Sequence, residues 1–252
     1  FLTTTTQQVL VTLIYHKPLD EQWQHQASLL AKQLNIKIIG RSRKQKVVLT
    51  DDFVIEELSV DGKLYQYQQV EASFTQPNAQ VNQKMLTWAS DCLKGSNNDL
   101  VELYCGNGNF TAVLAQHFDK VLATEISKVS VNSANYNFDL NKVDNVTIAR
   151  LSSEEFTQAL NRERAFRRLA NVDLDSFNFS TIFVDPPRAG LDSGTEKLVT
   201  EMDSILYISC NPETLAENLT QITQTHQVVS AALFDQFPWT QHIESGVLLK
   251  RR

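Results

Sequence analysis

The segment Asp99-Leu-Val-Glu-Leu-Tyr-Cys-Gly-Asn-Gly-Asn-Phe110 decides the fold class of this 252-residue chain. It begins as a largely apolar run of the kind that forms a strand buried inside a sheet. Gly106 and Gly108 follow directly, and the sequence then becomes helix-like over 110–118. Glycines at such a junction let the backbone approach a ligand closely, and the helix N-terminus offers free N–H groups. The segment therefore predicts a strand–turn–helix unit with a ligand site at its turn.

Helix-like and strand-like segments alternate on both sides of this unit. The predicted helices are Ala79–Leu93, Ser127–Leu140, Thr195–Met202 and Pro212–Gln224, and the predicted strands are Lys120–Thr124, Val146–Ala149, Thr181–Val184, Ile205–Ser209, Val228–Leu233 and Gly246–Leu249. Alternation of this kind predicts an α/β fold, in which a mostly parallel sheet carries helices on both faces.

The first quarter of the chain has a different pattern. A helix is predicted over Asp20–Leu34 among short strands, and Asp61-Gly62 separates two of those strands as a hairpin turn would. We therefore expect a small α+β segment over residues 1–72 and the α/β domain over residues 73–252. Because the first residue is Phe1 rather than Met, we also expect that part of the natural protein is missing.

Composition limits the function without assigning it. The chain has no apolar run long enough to cross a bilayer and no secretory leader, so we expect a cytoplasmic protein without a membrane. Its three cysteines predict neither a disulfide framework nor a metal site. The net charge of −6 neither supports nor excludes RNA binding, because basic residues cluster at 41–46, 162–168 and 250–252. Each cluster is equally typical of a solvated face.

The glycine-containing turn indicates which kind of cofactor it holds. A dinucleotide-binding turn would have a third Gly or Ala where Thr111 stands, and Glu102 on the incoming strand would disfavour a pyrophosphate. The next strand ends at Glu125, where a carboxylate can accept hydrogen bonds from both ribose hydroxyls of an adenosine. An ordinary turn with a surface glutamate is the alternative. Together these residues favour a nucleoside cofactor, S-adenosylmethionine ahead of NAD.

Reactive side chains follow the later strands. Cys210 lies between a predicted strand and a helix that begins at Pro212, so the positive helix end is expected to lower the pKa of its thiol. Asp185 and Arg188 occupy a stiff Asp-Pro-Pro-Arg loop, and Glu244 precedes the last strand, where a partly desolvated carboxylate could act as a base. The alternatives are a buried structural cysteine, an exposed ion pair and a surface glutamate.

Six motifs, taken in order, resemble the RNA uracil-5-methyltransferase family and are most similar to its bacterial tRNA (uracil-5-)-methyltransferases. The motifs are Ser73-Phe-Thr-Gln-Pro-Asn78, Leu103-Tyr-Cys-Gly-Asn-Gly-Asn-Phe110, Ala123-Thr-Glu125, Phe183-Val-Asp-Pro-Pro-Arg188, Ser209-Cys-Asn-Pro-Glu-Thr214 and His242-Ile-Glu244. The resemblance extends from about residue 1 to the C-terminus. It implies a Rossmann-like methyltransferase fold for residues 73–252 and part of an RNA-binding region in residues 1–72.

The resemblance also implies a reaction. A methyl group would pass from S-adenosylmethionine to C5 of a uridine, in the T-loop of tRNA, through a covalent bond between a cysteine and C6 of the base. The implied roles are S-adenosylmethionine binding for Gln76, Tyr104, Asn109, Glu125 and Asp185, nucleophile for Cys210, proton acceptor for Glu244 and pyrimidine binding for Arg188. We further expect a cytoplasmic monomer with tRNA as its partner and no metal.

The chain departs from the family pattern in two places. Ser245 stands where a cysteine is expected, and the N-terminal region of the family is absent, so RNA affinity is expected to be reduced. The alternative functions are a ribosomal RNA uracil-5-methyltransferase, a non-catalytic RNA-binding or RNA-folding module, and an NAD-dependent enzyme. A DNA cytosine-5-methyltransferase is disfavoured because Ser209, not proline, precedes Cys210.

Overall fold

The computed structural model describes all residues from Phe1 to Arg252. The first part comprises β1 (Leu2–Thr3), β2 (Val9–Ile14), α1 (Glu21–Leu34), β3 (Lys37–Ser42), β4 (Gln45–Val48), β5 (Phe53–Val60) and β6 (Lys63–Val70). The second comprises α2 (Ala79–Leu93), β7 (Asp99–Leu103), α3 (Thr111–Leu114), β8 (Val121–Thr124), α4 (Lys128–Asn141), β9 (Val146–Ala149), α5 (Ser153–Leu160), β10 (Phe179–Val184), α6 (Ser193–Val199), β11 (Ser204–Ser209), α7 (Pro212–Ile222), β12 (His226–Phe234) and β13 (Glu244–Arg251). None of the helices is both long and apolar enough to span a membrane.

A seven-stranded sheet forms the centre of the molecule, in the order β12-β13-β11-β10-β7-β8-β9. Strands β11, β10, β7, β8 and β9 pair in parallel, whereas β13 runs antiparallel to both β11 and β12. The chain moves outward from β7 in one direction through β8 and β9, and in the other through β10 and β11. Open sheets of this kind bind ligands where the strand order reverses, at the carboxyl ends of the strands.

Helices cover both faces of this sheet, as the sequence predicts. Side chains of β7 alternate between the faces: Leu100 joins a core formed with α2, α3 and α4, whereas Val101 and Leu103 join a core formed with α5, α6 and α7. This period of two is the property of an extended strand that is buried on both sides. The prediction of a mostly parallel α/β sheet is confirmed.

The predicted hairpin at Asp61-Gly62 is also confirmed. Both residues have left-handed φ angles, 52° and 78°, as a two-residue hairpin turn with the twist of its strands requires. Leu58, Val60 and Tyr65 of this β5–β6 hairpin pack in the same core as Met85 and Leu86 of α2. The predicted boundary between residues 72 and 73 therefore divides the core that this hairpin shares with α2, while the rest of the first segment packs in smaller cores of its own.

Among the predicted helices, two differ most from the structure in their bounds. The segment 110–118 forms only one α-helical turn, α3, and then a 3-10 turn over Ala115–His117, because the Asn145 side chain donates hydrogen bonds to the carbonyls of Ala115 and Phe118. Helix α6 begins at Ser193 because the Asp192 carboxylate accepts hydrogen bonds from the first backbone N–H groups. By contrast, α2 spans the predicted residues Ala79–Leu93.

Side chains of α4 occupy the free edge of β6. The side chain of Asn137, which is 0% exposed, accepts a hydrogen bond from the Gln68 N–H at 2.7 Å and donates one to the Asn107 carbonyl at 2.8 Å. The Asn141 side chain accepts a hydrogen bond from the Gln66 N–H and donates one to the Gln66 carbonyl. Asn137 thus ties the hairpin and the glycine-containing turn to one helix.

Replacing Asn137 with leucine is expected to lower the free energy of unfolding by about 2 kcal/mol or more, because a buried N–H and a buried carbonyl lose their partner. Urea unfolding of the variant would measure the loss. The control is Asn135→Leu on the same helix, whose side chain is exposed, and it is expected to stay within about 0.5 kcal/mol of the parent. An equal loss in both variants would contradict the anchoring role.

Candidate active site

The predicted site residues lie at one edge of the central sheet. Tyr104, Glu125, Asp185 and Cys210 each come directly after a strand, β7, β8, β10 and β11 respectively. The register places those strand ends side by side, since Leu103 pairs with both Thr124 and Val184. Because β13 is antiparallel, its first residue Glu244 lies at the same edge, next to the Ser209–Ser245 pair.

These strand ends form the wall of a cavity of about 600 Å³. All of the residues predicted for the site line this cavity: Gln76, Tyr104, Asn109, Glu125, Asp185, Arg188, Cys210 and Glu244. A neighbouring cavity of about 340 Å³ shares Tyr104, Glu125 and Pro187 with it, and its other lining residues include Ile126 and Leu151. The structure therefore brings the predicted residues together at two connected cavities.

The glycine-containing turn is held in a conformation that few other residues tolerate. Gly108 has a φ of 78°, and a Cβ atom at this position would lie 2.6 Å from Cε1 of Phe138. The Gly106 N–H donates to Glu125 Oε2 at 3.1 Å, while Oε1 of the same carboxylate accepts from the Ser127 N–H at 2.7 Å. The turn and the Glu125 carboxylate are thus fixed against each other.

Two more of the predicted residues are held by hydrogen bonds. Tyr104 has a left-handed φ of 63°, and its hydroxyl donates to Ser153 Oγ at 2.6 Å. The Asn109 side chain forms a reciprocal pair of 2.9 Å hydrogen bonds with Asn82, a buried residue of α2. A strained backbone that its surroundings hold in place is typical of binding sites.

Three carboxyl groups on the cavity wall carry raised pKa values. Burial, with a contribution from the Asp185 charge, raises the pKa of Glu102 to about 8. Burial, followed by the charge of Glu244, raises the pKa of Asp185 to about 8, and burial raises that of Glu244 to about 7. Glu102 Oε2 is buried with no hydrogen-bond partner. Such a cluster of carboxyl groups suits a cationic ligand.

The expected lowering of the Cys210 pKa is wrong. Burial raises the pKa of the thiol, the Glu244 and Asp185 charges raise it further, and Arg188 lowers it. The helix that follows does begin at Pro212, with the Asn211 side chain capping it. The sequence indicated that helix end correctly, but it did not reveal two carboxyl groups beside the sulfur. When those two carboxyl groups are protonated, they carry no charge and no longer raise the pKa of the thiol.

Arg188 extends from a loop that is fixed to α7. Its carbonyl accepts hydrogen bonds from Asn211 Nδ2 at 3.1 Å and Thr214 Oγ1 at 3.3 Å. Its side chain is exposed at the cavity and takes part in none of the salt bridges of the chain. The guanidinium is therefore free to bind a ligand, and the alternative of an exposed ion pair does not hold.

A residue behind the cavity wall, Gln236, had no predicted role. Gln236 lies in the Asp235-Gln-Phe-Pro238 segment, is 1% exposed and contacts Gln76 through its side chain. A buried glutamine in a short loop gives a weak signal in the sequence. Its importance follows from a partner that lies 160 residues away in the chain.

Comparison with known proteins connects this geometry to a family. A sequence model of the tRNA (uracil-5-)-methyltransferases matches residues 1–252. The chain is 61% identical to the tRNA/tmRNA (uracil-C(5))-methyltransferase of Saccharophagus degradans and 62% identical to that of Cellvibrio japonicus, over 100% of this chain and 69% of each relative.

A solved structure shares the fold. The crystal structure of Pyrococcus abyssi tRNA (uracil-54, C5)-methyltransferase in complex with S-adenosyl-L-homocysteine has a TM-score of 0.69 and 23% identity, covering 98% of this chain. The chain spans 58% of the length of that protein. The family match, the two relatives and the strand-end site agree with the resemblance found in the sequence. This chain belongs to the tRNA (uracil-5-)-methyltransferase family.

Proposed function

We propose that this chain transfers a methyl group from S-adenosylmethionine to C5 of a uridine in tRNA, through a covalent bond between Cys210 and C6 of the base. The observation that carries the proposal is the position of Cys210 and Glu244 at adjoining strand ends, in the cavity that also holds the residues proposed for cofactor binding. The names of the relatives support tRNA as the substrate. The T-loop uridine is the proposed target.

The carboxyl groups of the cavity fit S-adenosylmethionine. Its sulfonium and ammonium groups are cationic, and the buried, unpartnered Oε2 of Glu102 is an acceptor suited to such charge. A pyrophosphate would face Glu102, Asp185 and Glu244 instead and would be repelled by their ionised forms, which disfavours NAD. No group of metal-ligating side chains is present.

The two cavities meet at Glu125, and we assign one half of the cofactor to each of them. The Glu125 carboxylate lines both, and it is placed to accept hydrogen bonds from the ribose hydroxyls. Ile126 and Leu151 of the smaller cavity would hold the adenine, and Gln76 and Asn109 of the larger one would hold the methionine part. When bound there, S-adenosylmethionine supplies an electrophilic methyl group.

Cys210 supplies the nucleophilic step that uracil needs. C5 of uracil is too weak a nucleophile to attack a sulfonium methyl group directly. The Cys210 thiolate adds to C6, and the electrons of the C5–C6 double bond move to form an enolate, which makes C5 electron-rich. The electron-rich C5 would then take the methyl group that bound S-adenosylmethionine supplies, with S-adenosylhomocysteine as the leaving group. Arg188 is proposed to hold the pyrimidine during these steps.

Glu244 is proposed to complete the reaction. Its carboxylate removes the remaining proton from C5, the C5–C6 double bond re-forms, and the Cys210 thiolate leaves. A pKa of about 7 suits a base that works near neutral pH. To reach the cavity, the uridine must leave its loop, at a cost of about a few kcal/mol.

Binding of S-adenosylmethionine at pH 7 is expected to release protons. Glu102 and Asp185, whose pKa values are raised to about 8, are largely protonated at that pH, and a bound cation favours their ionised forms. Affinity is therefore expected to rise as pH increases through about 8. Calorimetry in two buffers of different ionisation enthalpy would measure the release. A binding enthalpy that does not depend on the buffer would contradict this prediction. In the Glu102→Gln variant, binding is expected to release fewer protons than in the parent.

The reaction is tested by trapping it with tRNA in which 5-fluorouridine replaces uridine. Fluorine at C5 cannot be removed as a proton, so the methylated adduct persists and shifts the protein on a denaturing gel. We expect a shift with tRNA and S-adenosylmethionine, and none with a ribosomal RNA fragment. A shift with the ribosomal RNA alone would favour that alternative substrate. Absence of any adduct, while the RNA still binds, would favour a non-catalytic RNA-binding module.

A further inference from the structure

The buried side chain of Gln236 links two loops at the rim of the larger cavity. Gln236 belongs to the segment 235–243 between β12 and β13, which we call the rim loop. It reaches the Ser73–Asn78 segment that precedes α2 and carries Gln76. Gln236 Nε2 also lies 3.5 Å from Met85 Sδ, so the amide packs against the hydrophobic core. Because the Gln236 amide is buried, few groups are within reach to form hydrogen bonds with it.

The hydrogen bonds of Gln236 have a fixed direction. The backbone N–H of Asn78 can only donate, and it donates to Gln236 Oε1 at 3.1 Å. Gln236 must therefore turn its Nε2 toward Gln76, where it donates to Gln76 Oε1 at 2.9 Å. With its oxygen oriented toward Gln236, the Gln76 side chain keeps its NH₂ group to donate to another partner. The direction thus follows from a backbone group and not from the choice of an amide rotamer.

We propose that Gln236 is a positioning residue that fixes Gln76 as a hydrogen-bond donor toward the carboxylate of the methyl donor. The inference rests on the proposed function, which supplies that ligand. Of the polar groups in S-adenosylmethionine, the ribose is matched by Glu125 and the cationic groups by the buried carboxyl groups. The cofactor carboxylate is an acceptor only and is repelled by the ionised forms of Glu102 and Asp185, so it needs a donor on another wall, and Arg188 is already assigned to the pyrimidine. Gln76 is such a donor.

The test compares two ligands in three proteins: the parent, Gln236→Met and Gln76→Ala. The ligands are S-adenosylhomocysteine and its decarboxylated analogue, which keeps the amine and lacks the carboxylate. The parent is expected to bind S-adenosylhomocysteine more tightly, by about tenfold or more. Gln236→Met, which preserves volume, is expected to lose most of that preference while its affinity for the decarboxylated analogue stays within about twofold of the parent. Adding Gln236→Met to Gln76→Ala is expected to change nothing further.

Gln236→Glu gives a second readout that a purely structural role would not produce. A protonated glutamic acid can donate to Gln76 Oε1 as glutamine does, whereas the ionised form makes Gln76 turn its NH₂ inward. The preference for the carboxylate is therefore expected to return at low pH in this variant and to stay low in Gln236→Met. Equal weakening of both ligands in Gln236→Met would overturn the proposal. A parent protein that binds neither ligand would overturn the proposed function, and this inference with it.

A separate observation concerns Trp239 at the tip of the rim loop. Its side chain is fully exposed, and its φ angle of 68° lies in the left-handed region that a bulky residue rarely adopts. On either side of it, Phe237 and His242 line the larger cavity. The loop is held by a hydrogen bond from the Thr240 hydroxyl to the Phe237 carbonyl at 2.7 Å, and by one from the His242 N–H to Thr240 Oγ1 at 3.1 Å.

We infer that Trp239 stacks on a nucleobase of the RNA loop next to the uridine that enters the cavity. A strained backbone and a solvent-exposed indole are both unfavourable, and both occur on a hydrogen-bonded turn at the cavity mouth. Flat π-surfaces of this kind stack on unpaired bases of any sequence. The proposed function brings a single-stranded RNA loop to this rim, so the inference rests on it.

Variants of Trp239 test the stacking. Trp239→Leu is expected to raise KM for tRNA by about tenfold with little change in kcat, and Trp239→Phe to retain most of the affinity. Affinity for S-adenosylhomocysteine should stay unchanged in both. The control is Leu233→Ala, an exposed apolar residue of β12 that does not line the cavity, and its KM should match the parent. A KM for tRNA in Trp239→Leu equal to that of the parent would overturn the inference. A parent protein that does not methylate tRNA would overturn the proposed function.

Discussion

Replacing Cys210 with alanine is expected to abolish methylation and covalent adduct formation while leaving the binding of S-adenosylmethionine intact. Without the thiolate, no group adds to C6, and C5 stays too weak a nucleophile to take the methyl group. Loss of a nucleophile reduces turnover by roughly four orders of magnitude or more in enzymes of comparable design. The residues proposed for cofactor binding lie outside β11, and Tyr104 and Glu125 keep their hydrogen bonds.

Two other cysteines provide the controls for this experiment. Cys105 lines the same cavity, but it is buried and its pKa is raised well above the usual range, chiefly by burial. Cys92 lies outside the cavity on α2. Cys105→Ala and Cys92→Ala should both still form the adduct with 5-fluorouridine tRNA on a denaturing gel. An adduct that persists in Cys210→Ala and disappears in Cys105→Ala would assign the nucleophile to the other thiol.

The sequence could predict the site because the site consists of strand ends. Tyr104, Glu125, Asp185 and Cys210 each follow an apolar run, and parallel strands bring their carboxyl ends to one edge whatever the details of packing. The bounds of α2 were equally predictable, since Asn78 caps its start and its apolar residues recur with helical spacing. These features depend on residues that are close together in the chain.

Features that depend on distant residues could not be predicted. The pKa of Cys210 is set by burial and by Glu244 and Asp185, which reach it from other strands, so the nearby helix end was a misleading guide. The direction of the Gln76 amide depends on Gln236, a residue of the rim loop. The packing of the β5–β6 hairpin against α4 likewise uses Asn137 and Asn141, which look like ordinary polar residues of a helix surface.

Replacing Glu244 with glutamine is expected to separate the two halves of the reaction. Glutamine cannot accept the C5 proton, so the methylated adduct should accumulate on ordinary tRNA without fluorine, and turnover should fall by about 10²- to 10⁴-fold. Formation of the adduct should not slow. The Glu244 charge raises the pKa of the Cys210 thiol, and its removal therefore increases the thiolate fraction at a given pH.

The pH dependence of the two steps gives the stricter test of Glu244. Its pKa is raised to about 7 in the folded protein, so the proton-accepting carboxylate is present above that pH and is lost below it. In the parent, release of the adduct should therefore slow as the pH falls through about 7, whereas in Glu244→Gln it should be slow throughout. Rapid-quench gels over a pH series would measure both steps. The matched control is Glu213→Gln, an exposed residue in the first turn of α7 that should behave as the parent does. If the Glu244→Gln enzyme released its product at the parental rate, the proton would have to leave through another group, and Asp185 is the carboxyl group of the same cavity to examine next.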